Sequence, residues 1–269
     1  MSDYDPSEVE RHEHETWESS AEIYAEAAGL LTALSGQCEI VIDAGEINSR
    51  SRVLDVGCGP GQLSAALAEA AGVIEGIDFS EKMIAAARET YPELTFHVAN
   101  AEELPYENAS FDVAVCNYTA HHFARPDFVF SEILRVLKPG GYVVVVHPIQ
   151  AEQASFGSFA QALYEHLPPE HLPSGSLLDV ADPAEYADLL TKCGYASVDC
   201  ERQLKPVEVD SIDQLLTAGW KIGGLASQPQ DIQEKIRAGT IARAKKYKNT
   251  DGSYSFPDVV IVARGRKPN

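Results

Sequence analysis

The chain has 269 residues, enough for one large domain, and its hydrophobic fraction of 45% is sufficient to bury a sizeable core. Its formal net charge of −20, from 41 acidic and 21 basic side chains, disfavours nonspecific nucleic-acid binding because phosphate contacts need a basic face. A salt-rich habitat or a need for solubility would explain the excess, and the sequence does not decide between them.

Signals for secretion, a membrane span or a metal are missing from the sequence. The five cysteines are scattered, odd in number and without a CxxC pair, which indicates reduced thiols in a cytoplasmic protein. The first residues show no secretory pattern, and no apolar stretch is long enough to span a bilayer. Neither His12 and His14 nor the later histidines have the carboxylate or thiolate geometry of a metal site.

The first fifty residues predict helices. Residues 1–15 are polar and acidic, and we expect them to fray at the surface. Apolar periodicity predicts a helix over about residues 17–34, which ends at Ser35-Gly36. A second helical or mixed stretch covers residues 38–47, and a loop then leads into the first strand.

Strands and helices alternate in the next hundred residues. Short apolar runs predict strands at residues 53–56, 73–78, 94–99, 111–117 and 142–147. Helical patterns lie between them at residues 62–71, 80–90 and 127–137, and Lys138 to Gly141 form a predicted turn. Repeated βα units with near-continuously apolar strands indicate a parallel sheet that helices cover on both faces.

The pattern loosens after Pro148. Residues 150–178 mix aromatic side chains with prolines and predict an irregular helical insertion. The remaining predicted elements are a helix from Asp182-Pro183 to Cys193-Gly194, strands at residues 196–202 and 259–263, and a helical region at residues 210–247.

A glycine-rich turn follows the first strand. The apolar run at residues 53–56 breaks into Gly57, Gly59, Pro60 and Gly61, and a helical pattern follows at once. Such a turn lets a ligand approach bare backbone, and the helix start offers unpaired N–H groups to a polar or anionic group. Asp55, near the end of the strand, either organises the loop or faces the ligand.

Polar residues also follow the next three strands. Asp78 ends the second, Asn100, Ala101 and Glu102 follow the third, and Asn117 ends the fourth. Ligands of open α/β sheets bind beyond these carboxyl ends, where an acidic side chain can accept hydrogen bonds from two ribose hydroxyls. The site therefore looks built for an adenosine-containing ligand. The GxGxG spacing of the turn differs from the dinucleotide GxGxxG, and no P-loop lysine follows it.

Five blocks in this order resemble the class I S-adenosylmethionine-dependent methyltransferases. They are DVGCGPG at residues 55–61, GIDFS at 76–80, NAEELPY at 100–106, FDVAVCN at 111–117 and LRVLKPGGYVVVV at 134–146. Within that family, the chain is most similar to the small-molecule group that includes the ubiquinone/menaquinone methyltransferases. The ordered match covers about residues 50–147.

The resemblance implies S-adenosyl-L-methionine as the cofactor and a role for each matching residue. Asp55, Gly57 and Gly59, with Gly61 beside them, would line its methionine end. Asp78 would hold the ribose, and Phe79 would pack beside the adenine.

The resemblance extends to residues further along the cleft and to the amino-terminal helix. Ala101 and Glu102 would lie at the adenine edge, where Asn100 replaces the usual aspartate and can still bond the exocyclic amine. Asn117 would approach the methionine portion, unless it merely ends a strand. Trp17 and Tyr24 match the family's amino-terminal aromatic-x₆-Tyr element, which places Tyr24 over the cofactor.

The fold implied is a single α/β domain over residues 1–269 with a Rossmann-like, doubly wound, seven-stranded sheet. The sheet is mostly parallel, with the last strand antiparallel. We assign the core to about residues 45–149, 180–204 and 256–267. Helical lid insertions cover about residues 150–179 and 205–255, and the amino-terminal helix at residues 16–35 lies over the cofactor.

Methyl transfer from a sulfonium is an in-line displacement, so the protein mainly supplies alignment and exclusion of water. A base is needed only for a protonated acceptor, and the catalytic candidates are His121, His122 and His147. The alternative is that these histidines cap loops or pack. An acceptor pocket lined by Tyr118, Phe156, Tyr164 and Trp220 is one reading, and ordinary packing of these aromatic side chains is the other.

The leading hypothesis is methyl transfer to a small-molecule acceptor on an O, N or C atom, by a monomer or a homodimer. The alternatives are a dehydrogenase, which the turn spacing disfavours, a non-catalytic binding protein of this fold, and a protein or nucleic-acid methyltransferase. Nucleic acid is disfavoured by charge and by the absence of an NPPY-like motif after the fourth strand. The basic stretch at residues 235–248 is either a solvated helix face or a patch for an anionic substrate.

Overall fold

The computed structural model describes residues 5–35, 37–167, 180, 182–222 and 228–269. Its helices are α1 (Pro6–Ser35), α2 (Gln37–Gly45), α3 (Gln62–Ala68), α4 (Glu81–Thr90), α5 (Pro126–Val136), α6 (Ala154–His166), α7 (Pro183–Lys192), α8 (Ile212–Ile222) and α9 (Gln230–Ala244). Its strands are β1 (Arg52–Val56), β2 (Val73–Asp78), β3 (Thr95–Val98), β4 (Phe111–Asn117), β5 (Leu137–Pro148), β6 (Ala196–Val209) and β7 (Tyr254–Arg266).

In the described residues the strands form one seven-stranded sheet in the order β3-β2-β1-β4-β5-β7-β6. Strands β1 to β5 pair in parallel, and the strand order reverses between β1 and β4. β7 runs antiparallel to both neighbours, β5 and β6. The predicted Rossmann-like, doubly wound sheet with an antiparallel last strand is confirmed, and its switch point lies beside the glycine-rich turn.

Both faces of the sheet are buried, as the apolar strands predicted. Val143 and Val145 of β5 pack into one cluster with side chains of α5 and α7. Val144 and Val146 point the other way, into a second cluster with side chains of α2 and α3. Because alternate residues of one strand serve opposite layers, the carboxyl ends of the central strands are held rigidly from both sides.

A third buried cluster joins α6, α8 and α9 to the end of the β6–β7 pair where Val209 lies opposite Tyr254. Its members include Phe159, Leu163, Leu215, Ile236 and Phe256. α6 packs directly against both α8 and α9. The segments on either side of β6 therefore come together as one helical layer beyond the sheet.

β6 and β7 are longer than predicted, and the amino-terminal segment is helical where fraying was expected. β6 and β7 pair from Ala196 with Arg266 to Val209 with Tyr254, because each strand supplies the other's hydrogen-bonding partners well beyond residues 196–202 and 259–263. The expectation that residues 1–15 fray is wrong from Pro6 onward. The Asp5 carboxylate accepts a hydrogen bond of 2.9 Å from Ser7 N and caps α1.

Two other boundaries also differ. The turn predicted at residues 138–141 lies inside β5, because Leu137 pairs with Phe111 before a bulge and the regular pairing that follows. In the helical region predicted at residues 210–247, the described residues form α8, α9 and a 3₁₀ turn at Lys245–Tyr247. In the described residues no helix is both long and apolar enough to cross a membrane.

Candidate active site

The glycine-rich turn is pinned to the neighbouring strand by its own backbone. The N–H groups of Gly57 and Cys58 both donate to the carbonyl oxygen of Ile77, at 2.8 and 2.9 Å. Gly57 has a φ of +70°, and a Cβ there would lie 2.1 Å from Thr119 Oγ1. The position therefore excludes any side chain, because both the backbone conformation and the space would be violated.

Asp78, at the end of β2, holds the turn from the other side. Its two carboxylate oxygens accept from Gly59 N at 2.9 Å and from Ser80 N at 3.0 Å. The side chain is only 7% exposed. Burial raises its pKa, against the opposing effect of these backbone hydrogen bonds. Each oxygen has a second lone pair and can accept a further hydrogen bond from a ligand hydroxyl.

An open cleft lies at the carboxyl ends of β1 to β4. Among the predicted residues, the structure brings together Gly57, Asp78, Phe79, Asn100, Ala101, Glu102 and His122 in its lining. Further lining comes from Glu10, Glu13, Ile77, Ala99, Thr119, Phe123, Ala124 and Val129. The cleft thus joins the glycine-rich turn, the β2 carboxylate and the β3 loop, as expected for the carboxyl edge of such a sheet.

The remaining predicted residues surround this lining. Tyr24 lies over the turn, since a Cβ at Gly59 would be 3.9 Å from Tyr24 Cε1. Burial and the nearby Asp78 carboxyl raise the pKa of Tyr24. Gly61 is required by packing, because a Cβ there would lie 2.7 Å from the ring of Phe96. Asn117 ends β4 in parallel register with Val146 of β5.

Asp55 is buried behind the turn and organises it. Its carboxylate accepts a hydrogen bond of 2.6 Å from Ser64 Oγ on α3. Burial raises its pKa to about 6, although the serine hydrogen bond acts in the opposite direction. Of the two roles open to Asp55, the geometry favours ordering the junction between β1 and α3.

The α1 helix crosses the mouth of the cleft with an acidic inner face. Asn100 Nδ2 donates to Glu10 Oε1 at 2.6 Å, and Ser80 Oγ donates to Glu18 Oε2 at 2.6 Å. Between them, Glu13 is 5% exposed, with its Oε2 2.8 Å from His122 Nδ1. α1 is therefore attached to the loops that follow β2, β3 and β4.

Comparison with known proteins shows the family to which the chain belongs. The family model described as a methyltransferase domain matches residues 54–145. A demethylmenaquinone methyltransferase from Lactococcus lactis subsp. lactis is 32% identical over 176 residues, which cover 56% of this chain and 68% of the relative. The chain belongs to the class I S-adenosylmethionine-dependent methyltransferases.

One further relative is similar in sequence, and two solved structures share the fold. The methyltransferase YcgJ of Bacillus subtilis, strain 168, is 28% identical over 177 residues, 64% of this chain and 68% of the relative. Its crystal structure superposes with a TM-score of 0.56 at 23% identity, covering 87% of this chain and 99% of the other. Haemonchus contortus phosphoethanolamine N-methyltransferase 2, solved with S-adenosyl-L-methionine, gives a TM-score of 0.56 at 22% identity, with 87% and 53% covered.

The three candidate histidines of this methyltransferase form a row from the cleft into the core. The His121 ring centroid lies 4.0 Å from that of His122 and 5.4 Å from that of His147. His147 Nδ1 shares a buried hydrogen bond of 2.9 Å with the Tyr186 hydroxyl. Burial and the neighbouring imidazoles lower the pKa of His121 well below its ordinary value. His122 is the member of the row that lines the cleft.

Other candidate residues of the methyltransferase lie away from the cleft lining. Phe156 and Tyr164 are exposed on α6, and the Trp220 side chain lies outside the described residues. In the basic stretch, Lys235, Arg237 and Arg243 pair with Asp231, Asp213 and Glu165, which favours a solvated helix face. Among the described residues there is no cluster of three metal-ligating side chains.

The sequence predicts that the amino-terminal helix lies over the cofactor but not that its first turns, with Glu10 and Glu13, line the cleft. Glu10 and Glu13 belong to a segment whose acidic composition predicts fraying. The available signal was their spacing with Trp17 and Tyr24, since residues three, four and seven apart share one face of a helix. Thr119 carried no motif, and only the packing against Gly57 identifies it.

Proposed function

We propose that this methyltransferase transfers a methyl group from S-adenosyl-L-methionine to an O, N or C atom of a small molecule and releases S-adenosylhomocysteine. The observation that carries the proposal is the cleft formed by the Gly57 turn, the Asp78 carboxylate and the loop at residues 100–102. The relatives named demethylmenaquinone methyltransferase support an acceptor of small size.

The polar groups of the cleft fit this cofactor. Asp78 offers carboxylate oxygens to the ribose hydroxyls while Gly59 N and Ser80 N keep it oriented. Asn100 Oδ1 accepts from Glu102 N at 2.9 Å, which holds the β3 loop in the turn that would meet the adenine edge. Gly57 lines the cleft with backbone alone, and Thr119 packs where its Cβ would be.

In the proposed reaction the cofactor supplies an activated methyl group on a sulfonium. The protein's part is alignment and exclusion of water, and α1 borders the cleft through Glu10 and Glu13 in its lining. For an acceptor that must lose a proton, His122 is the one of the three candidate histidines that lies in the lining. The helical layer of α6, α8 and α9 is the proposed lid over the acceptor.

Calorimetric titration of the purified protein with S-adenosyl-L-methionine, S-adenosylhomocysteine and NAD tests the proposal. We expect both sulfur ligands to bind and NAD to give no heat. Binding of NAD alone, or of none of the three, contradicts it. Incubation with the labelled methyl donor and a panel of quinols, amines and phenols, read by mass spectrometry, then identifies the acceptor by its added methyl group.

A further inference from the structure

The amide side chain of Asn100 is held at both of its ends. Its Nδ2 donates to Glu10 Oε1 on α1 at 2.6 Å, and its Oδ1 accepts from Glu102 N at 2.9 Å. The opposite orientation of the amide would set an oxygen against the Glu10 carboxylate and an NH₂ group against the Glu102 N–H. Two partners from different segments of the chain therefore select one orientation of a side chain that lines the cleft.

Arg125, at the start of α5, closes a ring of contacts around this amide. Its guanidinium pairs with the Glu102 carboxylate, and its Nη2 lies 3.7 Å from Glu10 Oε2. Glu10 thus turns one carboxylate oxygen toward Arg125 and the other toward Asn100. Because the guanidinium holds the glutamate, the glutamate in turn is a fixed acceptor for the Asn100 amide.

The surroundings of Asn100 suit a flat base with a polar edge. Apolar walls bind an aromatic ring, and a few polar groups at its edge fix its orientation. Under the proposed function the ring is adenine, whose 6-amino group donates hydrogen bonds. Asn100 Oδ1 has a second lone pair that can accept one of them. The apolar residues that line the same cleft include Phe79, Ala99, Ala101, Phe123 and Val129.

An amide at position 100 has a requirement that the usual aspartate lacks. Both oxygens of an aspartate accept hydrogen bonds, so an aspartate meets an amino group in either orientation. An asparagine does so only when its oxygen faces the base. The contact with Glu10 meets this requirement, because a carboxylate accepts from Nδ2 and cannot donate to Oδ1.

We propose that Glu10 is a positioning residue that fixes the Asn100 amide, so that the cleft selects a 6-amino purine over a 6-oxo purine. The inference rests on the proposed function, which places adenine against the loop after β3. With Glu10 in place, Asn100 presents an oxygen that accepts from an amino group and repels a carbonyl oxygen. Without Glu10 the amide turns over more readily, and its NH₂ group can then donate to a carbonyl.

The test measures Kd by calorimetry for S-adenosylhomocysteine and for S-inosylhomocysteine, in which a carbonyl replaces the 6-amino group. The ratio of the two Kd values isolates recognition of the base, because a change that only loosens α1 weakens both ligands alike. We expect the wild type to prefer the adenine ligand. Glu10→Ala should reduce that preference about threefold to tenfold, which corresponds to one neutral hydrogen bond.

Glu10→Gln separates orientation of the amide from attachment of α1. Glutamine can accept from Asn100 or donate to it, so it keeps a contact between the two side chains but pairs with either amide orientation. We therefore expect Glu10→Gln to lower the ratio as well, while S-adenosylhomocysteine still binds. Glu15→Ala, on the same helix with a side chain 62% exposed, is the matched control and should leave both Kd values unchanged.

The outcomes distinguish this inference from the proposed function. A ratio that stays at the wild-type value in Glu10→Gln overturns the inference, and so does a wild type that binds the two ligands equally. If Glu10→Ala loses both ligands, Glu10→Gln decides, because it retains the contact with Asn100. A wild type that binds neither ligand contradicts the proposed function instead.

Discussion

The Asp78 carboxylate orders the loop around it and is also the group proposed to bind the ribose. It accepts from Gly59 N on the turn and from Ser80 N at the start of α4. Ser80 in turn caps α4 through its hydroxyl, which accepts from Met83 N at 3.1 Å. The side chain that would bind the ribose is therefore oriented by two backbone segments before any ligand arrives.

Replacing Asp78 with asparagine should weaken cofactor binding by about tenfold to a hundredfold, because a charge-assisted hydrogen bond to a hydroxyl is worth about 1.5–3 kcal/mol. Calorimetric Kd values for S-adenosylhomocysteine provide the measurement. Asp231→Asn, an exposed change on α9, is the control. An Asp78→Asn protein with wild-type affinity would argue against the ribose assignment.

Gly57 is constrained by space as well as by its backbone. Gly57→Ala would bring a Cβ to 2.1 Å from Thr119 Oγ1 at a φ of +70°. We expect it to lower the free energy of unfolding by about 2–4 kcal/mol through the clash and the strained φ together. Urea denaturation measures the change. Gly252→Ala shares a positive φ but meets nothing within 4 Å, so it should cost about 1–2 kcal/mol.

At the scale of elements, a carboxylate on β7 fixes the start of α6. Asp258 is buried and accepts from Ser155 N at 2.8 Å and from Ser155 Oγ. α6 has no side-chain cap of its own, so this contact across the chain takes that role. Burial raises the pKa of Asp258 to about 6, against the effect of the serine hydrogen bonds.

This raised pKa predicts a pH dependence of stability. The pKa of Asp258 is higher in the folded state than the ordinary value of 3.8 that applies to the unfolded chain. Its contribution to stability is therefore fully present below about pH 4 and is lost as pH rises through about 6. Between pH 4 and pH 7 the free energy of unfolding should fall by up to about 3 kcal/mol less in Asp258→Asn than in the wild type.

Urea midpoints between pH 4 and pH 7 compare the wild type with Asp258→Asn. Asp127→Asn, in the first turn of α5, serves as the control and should retain the wild-type slope. Parallel wild-type and Asp258→Asn profiles would show that the carboxylate does not titrate in this window.

At the scale of the whole molecule, the net charge of −20 affects stability as well as solubility. Like charges on a compact surface repel one another, and salt screens this repulsion over about 10 Å at 0.1 M. Ion pairs such as Arg264 with Glu46 and Lys138 with Asp112 offset only part of the acidic excess. The folded state therefore carries an electrostatic cost that depends on ionic strength.

We expect the thermal midpoint to rise by several degrees when NaCl increases from about 10 mM to about 0.5 M, because screening relieves the repulsion of a compact anion. Scanning calorimetry at fixed pH provides the measurement, with equal osmolality of sucrose as the control for preferential exclusion. A midpoint that falls with salt would show that favourable ion pairs dominate over the net charge.

The parallel core, the glycine-rich turn and the place of Asp78 at the end of β2 could all be predicted from the amino-acid sequence. These features depend on local order along the chain: apolar runs form strands, and a strand that ends in glycines must turn. The lengths of β6 and β7 were not local in this sense. β6 continues to Val209 and β7 begins at Tyr254, because each strand supplies the hydrogen-bonding partners of the other.

The acidic residues of α1 that enter the cleft could be identified only after the chain had been seen folded. Glu10 and Glu13 resemble any solvated carboxylates in the sequence, and they become part of the site because Asn100 and His122 reach them from loops about a hundred residues away. The same holds for the row of histidines, where packing of β4 against β5 separates His122 in the lining from His147 in the core. Burial and partners are set by the packing of distant segments, which no local pattern records.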